Sequence, residues 1–360
     1  MITGIVPSEI REGPAAVRAT VAQSRPAAAA IATILRGGRV RRVFVLGNGT
    51  SYHSSLAAAG LYRRHAGPHD PVVVPLTAAE FRTYLPRLGD EDAVVGISSS
   101  GEFRDVVAVA TELHGRVPTI AVVHVADSTL AGVADHVIVS AGGSSHVPVM
   151  TKTFSATLAA TELLLAELLG AETADQVADD LARAADHAQE AIAAAETVAE
   201  DLVAELDGAD HLFVVGSGIA HIAAMEAALK LKEMALIHAE GTETWEMTSG
   251  ASTIIGPGSV VIALAPNGPG RSGLADVVRH SARWGARVVE VGPDRIVPGS
   301  TVIRLADAAL EDHAPLTTVP PVAMLAFALA SARGVNPDQP DWVERYHSQG
   351  LTHILGIAGS

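Results

Sequence analysis

A chain of 360 residues with 48% hydrophobic and 18% charged side chains can bury cores of two ordinary domains and is too apolar to be disordered. A formal net charge of −15 without a compensating basic stripe excludes a nucleic-acid partner, and the lack of cysteine excludes disulfides and thiolate chemistry. Glu9, Arg11 and Glu12 break up any apolar leader, and no run of about 18 residues or more is free of polar side chains and turn formers, so the expectation is a cytoplasmic protein with no membrane span.

Residues 1–40 read as a helical lead-in with Pro7 and Pro14 near its start. Arg36, Arg39, Arg41 and Arg42 form the only dense basic cluster; with Gly37 and Gly38 inside it, it reads as a solvated helix end. Arg42–Gly49 is a short apolar run that breaks at a G-x-G turn and enters an Ala-rich helical pattern, and His211–Gly218 repeats that arrangement. In each half further apolar runs follow, at Asp92–Ile97, Pro118–His124 and His136–Val139, then at Ser259–Leu264, Arg287–Val291 and Thr301–Leu305. Strands alternating with helical segments predict an α/β protein with two parallel sheets, each flanked by helices on both faces. The expected divisions are a first domain over 41–170, linking helices over 171–206, a second domain over 207–335 and a tail over 336–360.

Two first-domain turns suit an anion. Gly49-Thr50-Ser51 opens a helix, and Ser98-Ser99-Ser100-Gly101-Glu102 follows a neighbouring strand. Backbone N–H groups at a helix start together with several hydroxyls form a cup for phosphate. The first turn is not a dinucleotide fingerprint, because the third glycine and the distant acidic residue are missing, and no G-K-[ST] makes it a Walker loop. Gly216-Ser217-Gly218 has fewer hydroxyls and reads as structural. No H-x-x-x-H or H-E-x-x-H pairing stands out on a helix and no G-x-S-x-G points to a serine hydrolase, so neither a metal nor a cofactor is expected.

In the second domain Glu226, Lys230 and Glu233 share one helix face by their spacing. Such a row is ordinarily a solvated salt-bridged stripe. Here it lies beside Ala223, Ala227, Leu231 and Ala235, between strand–turn–helix units, and a carboxylate next to an ammonium can move protons beside a carbonyl.

Together with Glu80-Phe81-Arg82, Thr151-Lys152-Thr153-Phe154 and Asp338-Gln339-Pro340, these motifs resemble the sugar isomerase (SIS) superfamily. They resemble the isomerase domain of glucosamine-6-phosphate synthase, with two SIS domains in tandem and no glutaminase domain. The chain is also similar to aminosugar-phosphate deaminase/isomerases and to deglycases of fructosamine phosphates. The resemblance implies a phosphate cup of Gly49, Thr50, Ser51, Ser98, Ser99 and Ser100, with Ser99 and Phe103 departing from the family pattern. It implies Glu233 as the proton-shuttling base and Lys230 as its partner. Where the family has a ring-opening histidine, this chain has Ser249; where the synthase has a C-terminal lysine, it has Arg345, which cannot form a Schiff base. His353, in a tail expected to close the site, is the candidate replacement acid/base, and a surface histidine is the competing reading.

The implied function is metal-free isomerisation of a phosphorylated aminosugar between aldose and ketose, or its deamination, through an enediol or enolamine. The rivals are a deglycase of a phosphorylated ketosamine and a non-catalytic sugar-phosphate sensor. The implied partners are a small-molecule sugar phosphate and a second copy of the chain, in a homodimer with a shared site.

Overall fold

The computed structural model describes residues 2–84, 87–143 and 145–343. Helix α1 (Ile5–Gly37) leads to β1 (Arg42–Gly47), α2 (Thr50–His65), β2 (Val72–Thr77), α3 (Ala78–Thr83) and β3 (Asp92–Ser98). Then come α4 (Arg104–Leu113), β4 (Thr119–Val123), α5 (Thr129–Val133), β5 (His136–Val139), α6 (Lys152–Leu169) and α7 (Ala171–Leu206). The second half holds β6 (His211–Gly216), α8 (Ile219–Ala235), β7 (Glu240–Glu243), α9 (Thr244–Ser249) and β8 (Ser259–Leu264). It continues with α10 (Arg271–Arg283), β9 (Arg287–Gly292), β10 (Thr301–Arg304) and α11 (Ala314–Ala332).

Each half contains one five-stranded parallel sheet, ordered β2-β1-β3-β4-β5 and β10-β9-β8-β6-β7. The two orders are the same topology read from opposite ends. The expected parallel sheets are therefore present, each one strand wider than the apolar runs suggest. The added strands, β2 and β7, are both at edges. β2 carries Pro75, whose missing N–H is tolerated where one side of a strand has no neighbour. β7 reads Glu-Gly-Thr-Glu, too polar to signal a strand. It forms because Gly241 lets it come close to α8: a Cβ there would lie 2.5 Å from the Met225 Cα.

The chain divides into two compact units. Ala15–Ser145 and Lys152–Ala182 form one; His146–Thr151 and Arg183–Pro340, with the start of the chain through Pro14, form the other. In the first, β1 and β3 are buried almost end to end, as expected of central strands covered on both faces. α6 is buried nearly all round, from Lys152 to Leu168, and packs against α2. In the second, α11 fills the corresponding role against α8. Glu311–Ala332 is long and apolar enough to cross a bilayer, but 89% of its most apolar 18-residue window is buried, as in a core helix.

The basic cluster after α1 is not simply a solvated helix end. Arg42 Nε and Nη2 donate to Asp92 Oδ1 and Oδ2 at 2.7 and 2.9 Å, so this pair pins the feet of β1 and β3. Arg36 donates to the Glu167 carbonyl at the end of α6. Asp338, from the Asp-Gln-Pro motif, accepts the N–H groups of Ile5 and Val6, both at 2.8 Å, and so caps α1.

Candidate active site

The first-lobe turns are built by glycine. A Cβ on Gly47 would lie 2.5 Å from the Ser51 carbonyl carbon, so only glycine lets the first turn of α2 fold back on the end of β1. Gly49, with φ 54° and ψ −126°, then turns the chain into the helix. Thr50 and Ser51 are buried in the first turn of α2. On the adjacent strand Ser98 is buried at the end of β3, while Ser99 is half-buried and Ser100 exposed. The Ser98 Oγ accepts the Gly101 N–H at 3.1 Å, and the Ser100 Oγ accepts the Glu102 N–H at 3.2 Å. These bonds shape the second turn and leave each hydroxyl its own proton to donate. Glu102 is spent elsewhere: its carboxylate accepts the Thr129 N–H and Oγ1–H at 2.8 and 2.7 Å, capping α5. The parallel pairing of β1 with β3 brings both turns to the carboxyl edge of one sheet, where ligands of open α/β sheets bind.

The charged row lies on α8. The Lys230 ammonium is 3.1 Å from Glu226 Oε1 and 2.6 Å from Glu233 Oε2. The solvated-stripe alternative does not hold: the side chains of Lys230 and Glu226 are 1% and 0% exposed, and only Glu233, at 27%, reaches the surface. Burial is the largest single influence on Lys230 and opposes its charge. Glu226 and Glu233 together outweigh it and hold the ammonium's pKa above its usual value. The helix therefore holds one accessible carboxylate beside a fixed cation. Spacing placed Glu226 on this face; its full burial behind Lys230 had no signal in the sequence.

Ser249 is exposed at the end of α9, where its Oγ donates to the Trp245 carbonyl at 3.0 Å. It lines a recess of about 390 Å³ with His221, Glu240, Glu243 and Glu246. Glu243 accepts the N–H groups of Trp245 and Glu246, at 2.5 and 3.3 Å, and so caps α9. His221, in the first turn of α8, is a titratable neighbour of Ser249 that the sequence reading did not single out. His353 and Arg345 lie outside the described residues. Among the described residues no group of three or more His, Asp or Glu side chains is placed to hold a metal.

Two parallel sheets of one topology, each with a glycine turn feeding a helix, are matched by the SIS domain model over residues 39–167 and 205–314. The chain belongs to the SIS domain family. Among curated relatives, glutamine–fructose-6-phosphate aminotransferase (isomerizing) of Methanothermobacter thermautotrophicus is 30% identical over 339 residues, covering 92% of this chain. The chain spans about half the length of the curated relatives it matches, 55% in this case. Among solved structures, the C-terminal domain of glucosamine-fructose-6-phosphate aminotransferase from Francisella tularensis superposes with a TM-score of 0.84 at 21% identity, covering 94% of this chain and 99% of that one. The glucosamine-6-phosphate deaminase of Thermotoga maritima gives 0.72 at 21% identity, covering 94% and 97%. At these identities the structural likenesses establish the tandem SIS fold.

Proposed function

We propose that this SIS chain interconverts the aldose and ketose forms of an amino-substituted sugar phosphate, with or without release of the amine. The observation that carries the reading is the Glu226–Lys230–Glu233 row, in which two buried charges serve one accessible carboxylate. Glu233 takes the proton from the carbon beside the carbonyl and returns it to the neighbouring carbon, through an enediol or enolamine. Such a positioned base contributes about two to four orders of magnitude. Lys230 keeps Glu233 oriented and stabilises negative charge developing on the substrate oxygen. Thr50, Ser51, Ser98, Ser99 and Ser100, with the backbone at Gly49, hold the phosphate, so that its binding energy positions the reacting carbon. The Methanothermobacter relative, whose name carries a hexose 6-phosphate, an amino-group transfer and an isomerisation, supports this substrate class. A homodimer belongs to the same proposal and is checked by light scattering.

One observation favours a second reading. Ser249, where the resemblance expects a ring-opening histidine, offers a hydroxyl already donated to Trp245. That favours open-chain substrates, as for a deglycase acting on a phosphorylated ketosamine with the same glutamate. A pure sensor has no use for a buried ammonium holding an accessible carboxylate.

The test begins with a thermal-shift screen of phosphorylated hexoses, aminosugars and ketosamines, since a ligand of the folded state raises the melting temperature. Turnover of each hit is then compared between the native protein and Glu233→Gln. The substitution should cut turnover at least about a hundredfold while the ligand-induced shift persists. Undiminished turnover would remove the base from α8.

A further inference from the structure

The turn that opens α8 has the same backbone as the one that opens α2. Gly218 has φ 57° and ψ −125°, against 54° and −126° at Gly49. Their surroundings differ. A Cβ on Gly49 would meet nothing within 4 Å among the described residues, whereas one on Gly218 would run into Glu311 Oε1. A Cβ on Gly268 would lie 2.5 Å from both Cβ and Oε2 of Glu311, and one on Gly270 would lie 3.2 Å from its Oε2. The Gly270 N–H donates to that oxygen at 2.9 Å. Three glycines from two turns thus enclose one carboxylate at the start of a 17-residue helix, where backbone N–H groups and the helix dipole favour negative charge.

The carboxylate is held there from behind. The Glu311 N–H donates to the Asn267 carbonyl at 2.9 Å, and the Asn267 N–H donates to the Ala309 carbonyl at 3.1 Å, so this stretch is stitched to the turn after β8. Among the described residues the first lobe shows no equivalent. Ile138 and Ile303 hold matching register positions, opposite Val122 and Val291, yet the residue at the offset of Glu311 is His146. No Asp or Glu occurs anywhere between Gly142 and Met150.

We propose that Glu311 is the resident anion of the second lobe, and that it fills a latent site for a small oxyanion of the phosphate or sulfate class. The native lobe therefore binds no phosphate, and removing the carboxylate opens the site. The inference leans on the phosphate reading of the first-lobe turns only for contrast, and the test separates the two.

Phosphate binding is measured by calorimetry on the native protein, Ser51→Ala/Ser98→Ala, Glu311→Ala and the triple variant. The expected stoichiometries are one, none, two and one phosphate per chain. Should Ser51→Ala/Ser98→Ala still bind phosphate like the native protein, the first-lobe reading fails; a further phosphate in Glu311→Ala would nonetheless uphold the resident anion. If Glu311→Ala binds no more than the native protein, and the triple variant no more than Ser51→Ala/Ser98→Ala, the resident anion is overturned. Where loss of Glu311 impairs folding, the readout is the melting temperature with and without phosphate. In the Ser51→Ala/Ser98→Ala background, phosphate should raise it by several degrees when position 311 is Ala or Gln and not when it is Glu. Equal responses would overturn the proposal.

Discussion

Helices α2 and α8 occupy the same place in two copies of one fold, and they carry opposite chemistry. α2 begins with Thr50 and Ser51 and faces Ser98 across the sheet edge, whereas α8 begins with Ile219 and Ala220 and has Ala265 at the position of Ser98. Farther along, the order reverses. Where α8 has Glu226, Lys230 and Glu233, the matching positions of α2 are Ala57, Leu61 and Arg64, the first two of them buried core residues. The fold offers each lobe a helix-start turn and an inner helix face. The first lobe places hydroxyls on its turn, and the second places charges on its helix face.

The largest effect expected from this comparison is on stability. Lys230→Met takes the ammonium away from the fully buried Glu226 and should cost about 3–5 kcal/mol in chemical denaturation, whereas Leu61→Met, its counterpart in α2, should cost less than about 1.5 kcal/mol. Equal losses would mean that the row is ordinary packing. The folded-state pKa of Lys230 is raised, so its contribution is complete below the unfolded value of 10.5 and is lost only as pH rises through the higher folded value. The gap between the native protein and Lys230→Met should therefore stay constant across neutral and mildly alkaline pH.

Next in size is Glu233→Gln, with its loss of turnover of about a hundredfold or more. Its control is Arg64→Gln in α2, which should leave turnover unchanged; a comparable loss there would erase the distinction between the helices. Smaller again is Ser98→Ala, which should raise KM about tenfold through one lost hydrogen bond to a charged group and change kcat little, provided the phosphate is held alike in ground and transition states. A fall in kcat alone would give Ser98 a part in the chemistry instead.

The smallest effect separates the sheets at their other end. The Arg42–Asp92 pair bridges β1 and β3, where the second sheet pairs His211 with Ser259. Arg42→Met should cost about 1 kcal/mol, because the Arg42 end of the pair is exposed and the Gly89 N–H still serves the buried Asp92 carboxylate. Arg42 and then the Gly89 N–H hold the Asp92 carboxyl below its ordinary value, while burial works against them. The stability they lend is complete above the unfolded value of 3.8 and disappears as pH falls through the lower folded one. A gap between native and variant that persisted below that range would rule out the ion pair as its source.

Central strands were legible in the sequence because unbroken apolar runs report burial directly, and the charged row was legible as a shared helix face though not in its burial. β1, β3, β6 and β8 show as unbroken apolar runs, and the i, i+4, i+7 spacing of Glu226, Lys230 and Glu233 fixes a common face. The edge strands β2 and β7 escaped because one bears a proline and the other two glutamates, and their pairing is decided by neighbours far along the chain. For the same reason Glu311 gave no signal: an acidic residue ahead of an apolar helix reads as a helix start, and only the fold brings it to the glycines of two distant turns. The hydroxyl-rich turns were legible as local motifs, and the burial of Thr50, Ser51 and Ser98 depends on the sheet joining β1 to β3.

The two late-found edges also bear on how the protein behaves when crowded. A parallel sheet ends in a row of unsatisfied N–H and C=O groups that another chain can extend. On β2 the run Val72-Val73-Val74 would make a good template, but Pro75 interrupts the donors just beyond it. On β7 the glutamates at each end place like charge against any matching copy. The residues that concealed these strands from a pattern of apolar runs are thus the ones that keep the molecules from stacking edge to edge.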